Sequence, residues 1–388
     1  MNKSAIEWTD ETLNPTSGCT LISPGCANCY AKTLHDMRHK AWINGWKDAP
    51  AQYHVPFEKL QLHPERLEKM PLHGKPRRVF VNSMSDLFHD DVPTTFIKAC
   101  VDEMERRPHM TFQILTKRPK RMCCFFQHYA AVPYPNIWLG VSVENQKYAD
   151  ERIPWLLQTP AAVRFLSCEP LLGPLQLGSA LLLNGELKRR GETRTPNGWL
   201  GGIDWVIVGG ESAGARPMPG WVVVGWESVA GARPMHPAWA RALRDQCQAA
   251  GVRFFFKQWG EWLETGSRDW YRGKDNVEFV KKHGRTGRQF PNARGISCDL
   301  DCVPILIDLP DNDERKKQNG GKCFRGPGHD AHDKRYKEWE KWSKDQSRSE
   351  SANPMRNYTW LYCVGANAAG RQLDGREWNE FPAEASVI

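Results

Sequence analysis

The chain lacks any uninterrupted apolar run of the roughly 18 residues that a membrane helix needs, so no segment is expected to cross a bilayer. Its opening stretch, Met1-Asn2-Lys3-Ser4-Ala5-Ile6-Glu7, carries no apolar signal segment. These two absences lead to the expectation of a cytoplasmic protein in a reducing compartment, with no membrane partner. Twelve cysteines in that setting read as ligands and buried thiols rather than as disulfides. Neither sign of charge dominates. A net charge of +8 over 388 residues permits a nucleic-acid partner without arguing for one. Compositional extremes are missing too: 40% hydrophobic and 25% charged residues describe an ordinary globular chain, long enough for one big domain or two ordinary ones. The seventeen tryptophans are the exception, and most read as core or rim packing.

What is present is concentrated near the N-terminus. Cys19, Cys26 and Cys29 lie in Asn14-Pro15-Thr16-Ser17-Gly18-Cys19 and Pro24-Gly25-Cys26-Ala27-Asn28-Cys29-Tyr30-Ala31. Such a loop supplies three thiolates, not four. A closed zinc site wants four ligands, and a distant His35 or His39 would have to complete it. A cubane iron–sulfur cluster on three cysteines instead keeps one iron open to another molecule. Spacing alone leaves both readings standing.

The rest of the chain reads as repeated strand-then-helix units. The apolar runs are Val79-Phe80-Val81, Phe112-Gln113-Ile114-Leu115, Ile137-Trp138-Leu139-Gly140-Val141, Val163-Arg164-Phe165-Leu166, Trp205-Val206-Ile207-Val208 and Val252-Arg253-Phe254-Phe255-Phe256. A further strand is expected around Ile6 to Leu13, and amphipathic stretches run from Thr94 to Arg107 and from His236 to Ala250. Short apolar runs bounded by turn residues and alternating with helices predict parallel strands in an α/β fold. Polar residues recur just past the strands: Ser85, Asp86, Lys117, Glu144, Glu169, Glu211 and Lys257. In a parallel α/β protein those ends gather on one face, where sites are built. Each residue alone reads as a loop cap or solvated group; the shared placement makes them site candidates. Cys168, Glu169, Glu211 and Lys257 are the catalytic candidates, although a buried thiol is the commoner role for Cys168. Lys117 and Arg118, followed by Lys120 and Arg121, form a basic cluster able to clamp a carboxylate or phosphate.

The cysteine segment, with its Asn-Pro before the first cysteine and Cys-Tyr-Ala at the end, resembles the cluster loop of radical S-adenosylmethionine enzymes, especially spore photoproduct lyase and its relatives. The whole chain is similar to a phage- and prophage-encoded family with a three-cysteine motif. The matching segments include Ile6-Glu7-Trp8-Thr9-Asp10, Asn82-Ser83-Met84-Ser85-Asp86-Leu87-Phe88, Leu115-Thr116-Lys117-Arg118-Pro119, Ser167-Cys168-Glu169-Pro170-Leu171-Leu172-Gly173-Pro174, Phe256-Lys257-Gln258-Trp259-Gly260-Glu261-Trp262 and Ala369-Gly370-Arg371-Gln372-Leu373-Asp374-Gly375. The resemblance implies a partial parallel (β/α)6 barrel, a 4Fe–4S cluster on Cys19, Cys26 and Cys29, and S-adenosylmethionine as cofactor. It also implies cofactor contacts from Tyr30, Ser83, Ser85, Asp86, Lys117 and Glu169, with Asp86 as the amine contact, and an external electron donor. One spacing departs from the pattern: six residues separate Cys19 from Cys26, where radical enzymes have three.

Two regions stand apart. The segment Trp205 to Met218 is nearly restated from Trp221 to Met235, after about 16 residues, too short for a helix crossover between parallel neighbours. Copy two runs directly into the next helix, whereas copy one keeps Gly209-Gly210, which would let a ligand approach the backbone. Copy one is therefore expected to be the sheet strand. Residues 264–350 are rich in Gly, Lys, Arg and Asp and read as an irregular insertion between a barrel spanning 1–263 and a C-terminal segment, 351–388, that returns to it. Cys298, Cys302, Cys323, His329 and His332 match no metal signature, and Tyr336, Trp339 and Trp342 read as a helix packing face.

Two functional expectations follow. The first is a radical enzyme acting on nucleic acid, nucleotides or a small metabolite. The second is a non-catalytic protein, stabilised by zinc or an iron–sulfur cluster, that binds nucleic acid or a partner protein.

Overall fold

The computed structural model describes residues 1–130, 132–177, 201–211, 232–233, 235–260, 262–265, 295–299, 304–306, 358–363 and 371–382. Seven parallel strands form its centre: β1 (Glu11–Leu13), β2 (Arg77–Val81), β3 (Met110–Thr116), β4 (Ile137–Ser142), β5 (Val163–Cys168), β6 (Trp205–Gly209) and β7 (Arg253–Gln258). They pair strictly in chain order, and the short strand Asn2–Lys3 adds an antiparallel edge beside β1. The resemblance implies six strands; the seven strands read from the residues, those around Ile6 to Leu13 and Val252 to Phe256 included, all join the sheet.

The helices form where the patterns place them. They are α1 (Tyr30–Ile43), α2 (Thr94–Glu105), α3 (Pro119–Tyr129), α4 (Gln146–Gln158) and α5 (Pro237–Ala250). Proline opens α3 and α5, where its missing N–H costs nothing. Asn145 caps α4 by accepting from the Tyr148 amide, and Gly251 closes α5 in the left-handed conformation. The strands are buried on both faces. Val79, Val81, Phe112, Ile114, Leu139, Val141, Leu166, Val206, Val208, Phe254 and Phe256 belong to the large core that also takes in the helices. A second core lies on the other face, made of Trp8, Phe80, Trp138, Val163, Phe165, Trp205, Ile207 and Phe255.

The sheet is curled around this second core. In a flat sheet β2 and β7, five neighbours apart, would be separated by about 24 Å. Instead one side chain touches both: the Phe381 ring lies 4.3 Å beneath the Arg78 guanidinium of β2 and 5.4 Å from the Phe255 ring of β7. Trp8 likewise meets Phe80 at 4.7 Å and Trp205 at 6.1 Å. No hydrogen-bonded ladder closes the curl into a barrel among the described residues. Residues near the C-terminus line the open edge of β7 instead: the Phe256 amide donates to the Trp378 carbonyl, and the Glu380 amide to the Phe254 carbonyl.

The duplicated segment places copy one in the sheet, with Trp205–Gly209 between β5 and β7. Of the region expected to be irregular, 264–350, the described residues are 264–265, 295–299 and 304–306, and all of them are strand. Trp262–Thr265, Gly295–Asp299, Pro304–Leu306 and Tyr358–Cys363 form a four-stranded antiparallel sheet, in the order 262–265, 358–363, 295–299, 304–306. Cys298 lies on the third of these strands; Cys302, Cys323, His329, His332, Tyr336, Trp339 and Trp342 lie outside the described residues.

Candidate functional site

Side chains alternate along a strand, so the face that is aromatic at the bottom of the curl can be followed to its top. On β4 the row runs Trp138, Gly140, Ser142 and then Glu144. On β5 it runs Phe165, Ser167, Glu169, and on β6 Trp205, Ile207, Gly209, Glu211. On β3 Leu115 leads to Lys117, and on β7 Phe255 leads to Lys257. Each row turns from apolar to polar as it leaves the strand. Contacts confirm the shared face: Lys117 Nζ donates to Ser142 Oγ at 3.2 Å, and Lys257 Nζ to Glu169 Oε1 at 2.5 Å.

The cysteine loop lies over these polar ends and is held at three places, each by a strand-end carboxylate. The first is Asp86. Its oxygens accept four hydrogen bonds, from the Phe88 and Lys117 amides, Thr116 Oγ1 and Arg118 Nη1. Arg118 in turn donates to Thr20 Oγ1 at 2.9 Å and reaches Cys19 Sγ at 3.9 Å. The second is Glu144, wholly buried, which accepts from Ser23 Oγ at 2.5 Å and from Arg152 at 3.0 Å. Gly25 rests directly on it: a Cβ there would stand 2.5 Å from Glu144 Oε1. The third is Glu211, which accepts from Asn28 Nδ2 at 2.8 Å and from the backbone and guanidinium of Arg233. Arg233 also donates to the Pro24 carbonyl at 2.8 Å.

The loop's own backbone suits this mounting. Gly18 takes a φ of +89°, and a Cβ there would strike the Lys59 carbonyl. Cys26 ends the short 3₁₀ turn Pro24–Cys26, and Cys29 caps α1, at the positive end of that helix's dipole. All three thiols are half-buried. Burial, then the nearby Asp86 carboxylate, pushes Cys19 up to about 11 against the opposing pull of Arg118. Burial acts on Cys26 too, but Lys117, the Ile22 backbone and Ser23 outweigh it and hold that thiol below its ordinary value. Tyr30 keeps 45% of its surface accessible. Its hydroxyl donates to the Ser83 carbonyl at 2.6 Å, and burial, Cys29 and Glu169 raise its pKa above the phenol range.

Several assignments change on this geometry. Asp86 braces β2 against β3, and all its acceptor positions are filled, so it has none left for a ligand amine. Ser83 and Ser85 bond Asn14 and Thr16 of the neighbouring loop. Cys168 falls on the opposite face from Ser167 and Glu169. It is fully buried in the helix-side core, where burial and then Cys247 raise its pKa, so it is no part of the site. Gly209 and Gly210 serve packing rather than a ligand: Cβ atoms there would meet the Glu169 side chain and the Trp259 carbonyl. Arg121 caps the His89 and Val92 carbonyls, and Lys120 lies over the Trp155 ring, so the basic cluster is engaged within the fold. His35 and His39 each place one ring nitrogen on a backbone carbonyl, of Val55 and Tyr53. Among the described residues no three His, Cys, Asp or Glu side chains converge on a point as ligands of one metal ion. The groups at the strand ends not committed to the loop are Lys117, Glu169 and Lys257.

The Glu211 mount makes a pH prediction. Burial alone would raise this carboxyl, but Arg233 and Asn28 outweigh it and hold its pKa below the ordinary 4.5. A depressed folded pKa gives stability that is present above the unfolded value and lost as pH falls through the folded one. Thermal stability is therefore expected to fall more steeply below pH 4.5 in the wild type than in Glu211→Gln, whose amide does not titrate. Parallel acid profiles for the two proteins would count against this mount.

Together these features define a mixed α/β protein whose mostly parallel, curled sheet carries a cysteine loop over the carboxyl ends of its strands. The chain matches the family described as "Protein of unknown function (DUF5131)" over residues 3–220 and 218–382, and it belongs to that family. The seam between the two matched stretches falls where copy one of the repeat gives way to copy two. No curated protein and no solved structure gives a significant match.

Proposed function

We propose that this protein is an iron–sulfur enzyme of the radical S-adenosylmethionine type, working on nucleic acid or nucleotides. One observation carries the reading: three thiols on a single loop, mounted over the carboxyl ends of a curled parallel sheet. A single tetrahedral ion needs ligands that converge on one point. A cubane takes each thiolate on a separate iron, and Cys19, Cys26 and Cys29 would supply three such ligands. Lys117 and the two hydrogen-bond donors near Cys26 favour the thiolate that such a cluster requires.

Cys19, Cys26 and Cys29 would hold the cluster, which together with S-adenosylmethionine would supply hydrogen-atom abstraction chemistry after one-electron reduction. The chain's own residues would do the rest. Asp86, Glu144 and Glu211 hold the loop still. Lys117, the Glu169–Lys257 pair and the exposed Tyr30 would offer contacts for a bound molecule. An external protein would deliver the electron. The phage and prophage resemblance supports a nucleic-acid or nucleotide substrate in the cytoplasm, which the net charge of +8 permits.

The test is anaerobic reconstitution followed by iron and sulfide analysis. Wild type is expected to bind four irons per chain, as a 4Fe–4S cluster requires. The Cys19→Ala/Cys26→Ala/Cys29→Ala variant is expected to bind none. With dithionite as electron donor, S-adenosylmethionine should be cleaved at its sulfur–C5′ bond, giving methionine and 5′-deoxyadenosine by mass spectrometry. Stoichiometric zinc without iron would defeat the reading.

A further inference from the structure

We infer that the two copies of the duplicated segment have divided one loop-positioning device between them: copy one supplies Glu211, copy two supplies Arg233, and the stretch between them is dispensable for it. Both copies carry the same elements. Copy one reads Glu211-Ser212-Ala213-Gly214-Ala215-Arg216-Pro217-Met218, and copy two reads Glu227-Ser228-Val229-Ala230-Gly231-Ala232-Arg233-Pro234-Met235. An undivided unit would hold a glutamate and an arginine a few residues apart. Here Glu211 stands at the end of β6, in copy one, yet its partner is the arginine of copy two. Arg233 enters the α5 side of the connection, three residues before the His236 cap.

The pair has a purpose beyond joining two loops. Arg233 donates to Glu211 from its backbone, Nε and Nη2, and from Nη2 to the Pro24 carbonyl; Glu211 also accepts from Asn28. Pro24 and Asn28 bracket Cys26 and precede Cys29. Glu211 is buried, and the planar arginine fork fixes the geometry in a way a lysine would not. Arg233 is thus a positioning residue for two of the three cysteines.

The connection is also shorter than the chain makes it. The Arg233 amide donates to Glu211 Oε2 at 2.7 Å, so the two backbones are separated by no more than a glutamate side chain and one hydrogen bond. Joining Glu211 directly to Ser228 would leave Ser228 to Ala232 between the partners. These five residues make six steps from Glu211 to Arg233, which extended can span about 20 Å, well beyond that reach.

The experiment uses metal-free full-length protein. Alkylation of Cys26 and Cys29 is followed by mass spectrometry, with buried Cys100 and Cys247 as internal controls for global opening. Arg233→Gln is expected to speed alkylation of Cys26 and Cys29 by about ten- to a hundred-fold, the loss of a charge-assisted pair, without exposing the controls. Arg233→Lys should recover part of that protection. Arg216→Gln and excision of residues 212–227 should leave both rates unchanged. Equal effects from Arg216→Gln and Arg233→Gln would overturn the division of roles. So would exposure of the cysteines on excision, or an Arg233→Gln protein that keeps them protected. No outcome depends on whether iron or S-adenosylmethionine binds.

Discussion

Trp205→Ala is expected to cost about 3–5 kcal/mol of stability, the range for truncating a large, fully buried aromatic. Trp205 is wholly inaccessible and sits at the hub of the inner core, with ring contacts to Trp8, Trp138, Phe165, Phe255 and Phe381. Its indole N–H has no partner among the described residues, so the loss is one of packing and not of a hydrogen bond. The neighbours cannot collapse into the void without changing the curl, since they come from β4, β5 and β7 and from two segments, around Trp8 and Phe381, that are far apart in sequence. Phe165 is already pressed against Gly140, where a Cβ would lie 2.5 Å from the ring. Urea unfolding followed by circular dichroism measures the effect. A loss below about 1 kcal/mol would mean that the inner core is loosely packed and does not set the curvature.

Arg152→Met should be nearly as damaging, by about 3 kcal/mol, because it leaves the Glu144 carboxylate buried without its closest cation. Both groups are almost completely enclosed, and Arg152 also donates to the Ser142 carbonyl at 2.8 Å. Lys117, 4.0 Å from Glu144, and the Ser23 hydroxyl remain, which is why the effect is placed at the low end of the 3–5 kcal/mol typical of a broken buried pair. The diagnostic is the double variant. Glu144→Gln alone should destabilise, whereas Glu144→Gln with Arg152→Met should recover part of the loss, since no uncompensated charge is left. Strictly additive effects would show that the two side chains do not act as a pair. The same loss should loosen Ser23 to Cys26, which rest on Glu144.

The parallel strands were legible because they are buried on both faces and so read as apolar runs. The polar residues beyond them were legible as a set, but their roles were not. Asp86, Glu144 and Glu211 look alike in sequence, and what makes them loop mounts is contact with Arg118, Ser23 and Asn28, residues brought close only by the fold. One signal was available and passed over. Counting by two from Phe165 reaches Ser167 and Glu169 and skips Cys168, which assigns that thiol to the helix side. The four-stranded sheet among residues 262–363 was hidden for a different reason: its strands are short and far apart in sequence, so no local pattern announces their pairing. Arg233 was invisible as a site residue because either copy of the repeat could have supplied it.

The ring of Phe381 between Arg78 and Phe255 also bears on how the molecule comes into being on the ribosome. Strands that pair in chain order can be laid down one after another as they emerge, each on a finished neighbour. Phe381 and Arg78, by contrast, are about three hundred residues apart, and such distant contacts are the slowest to form. The nascent sheet can therefore be fully hydrogen-bonded while its curvature is still unset. The curl is complete only when Phe381 has been seated between Arg78 and Phe255.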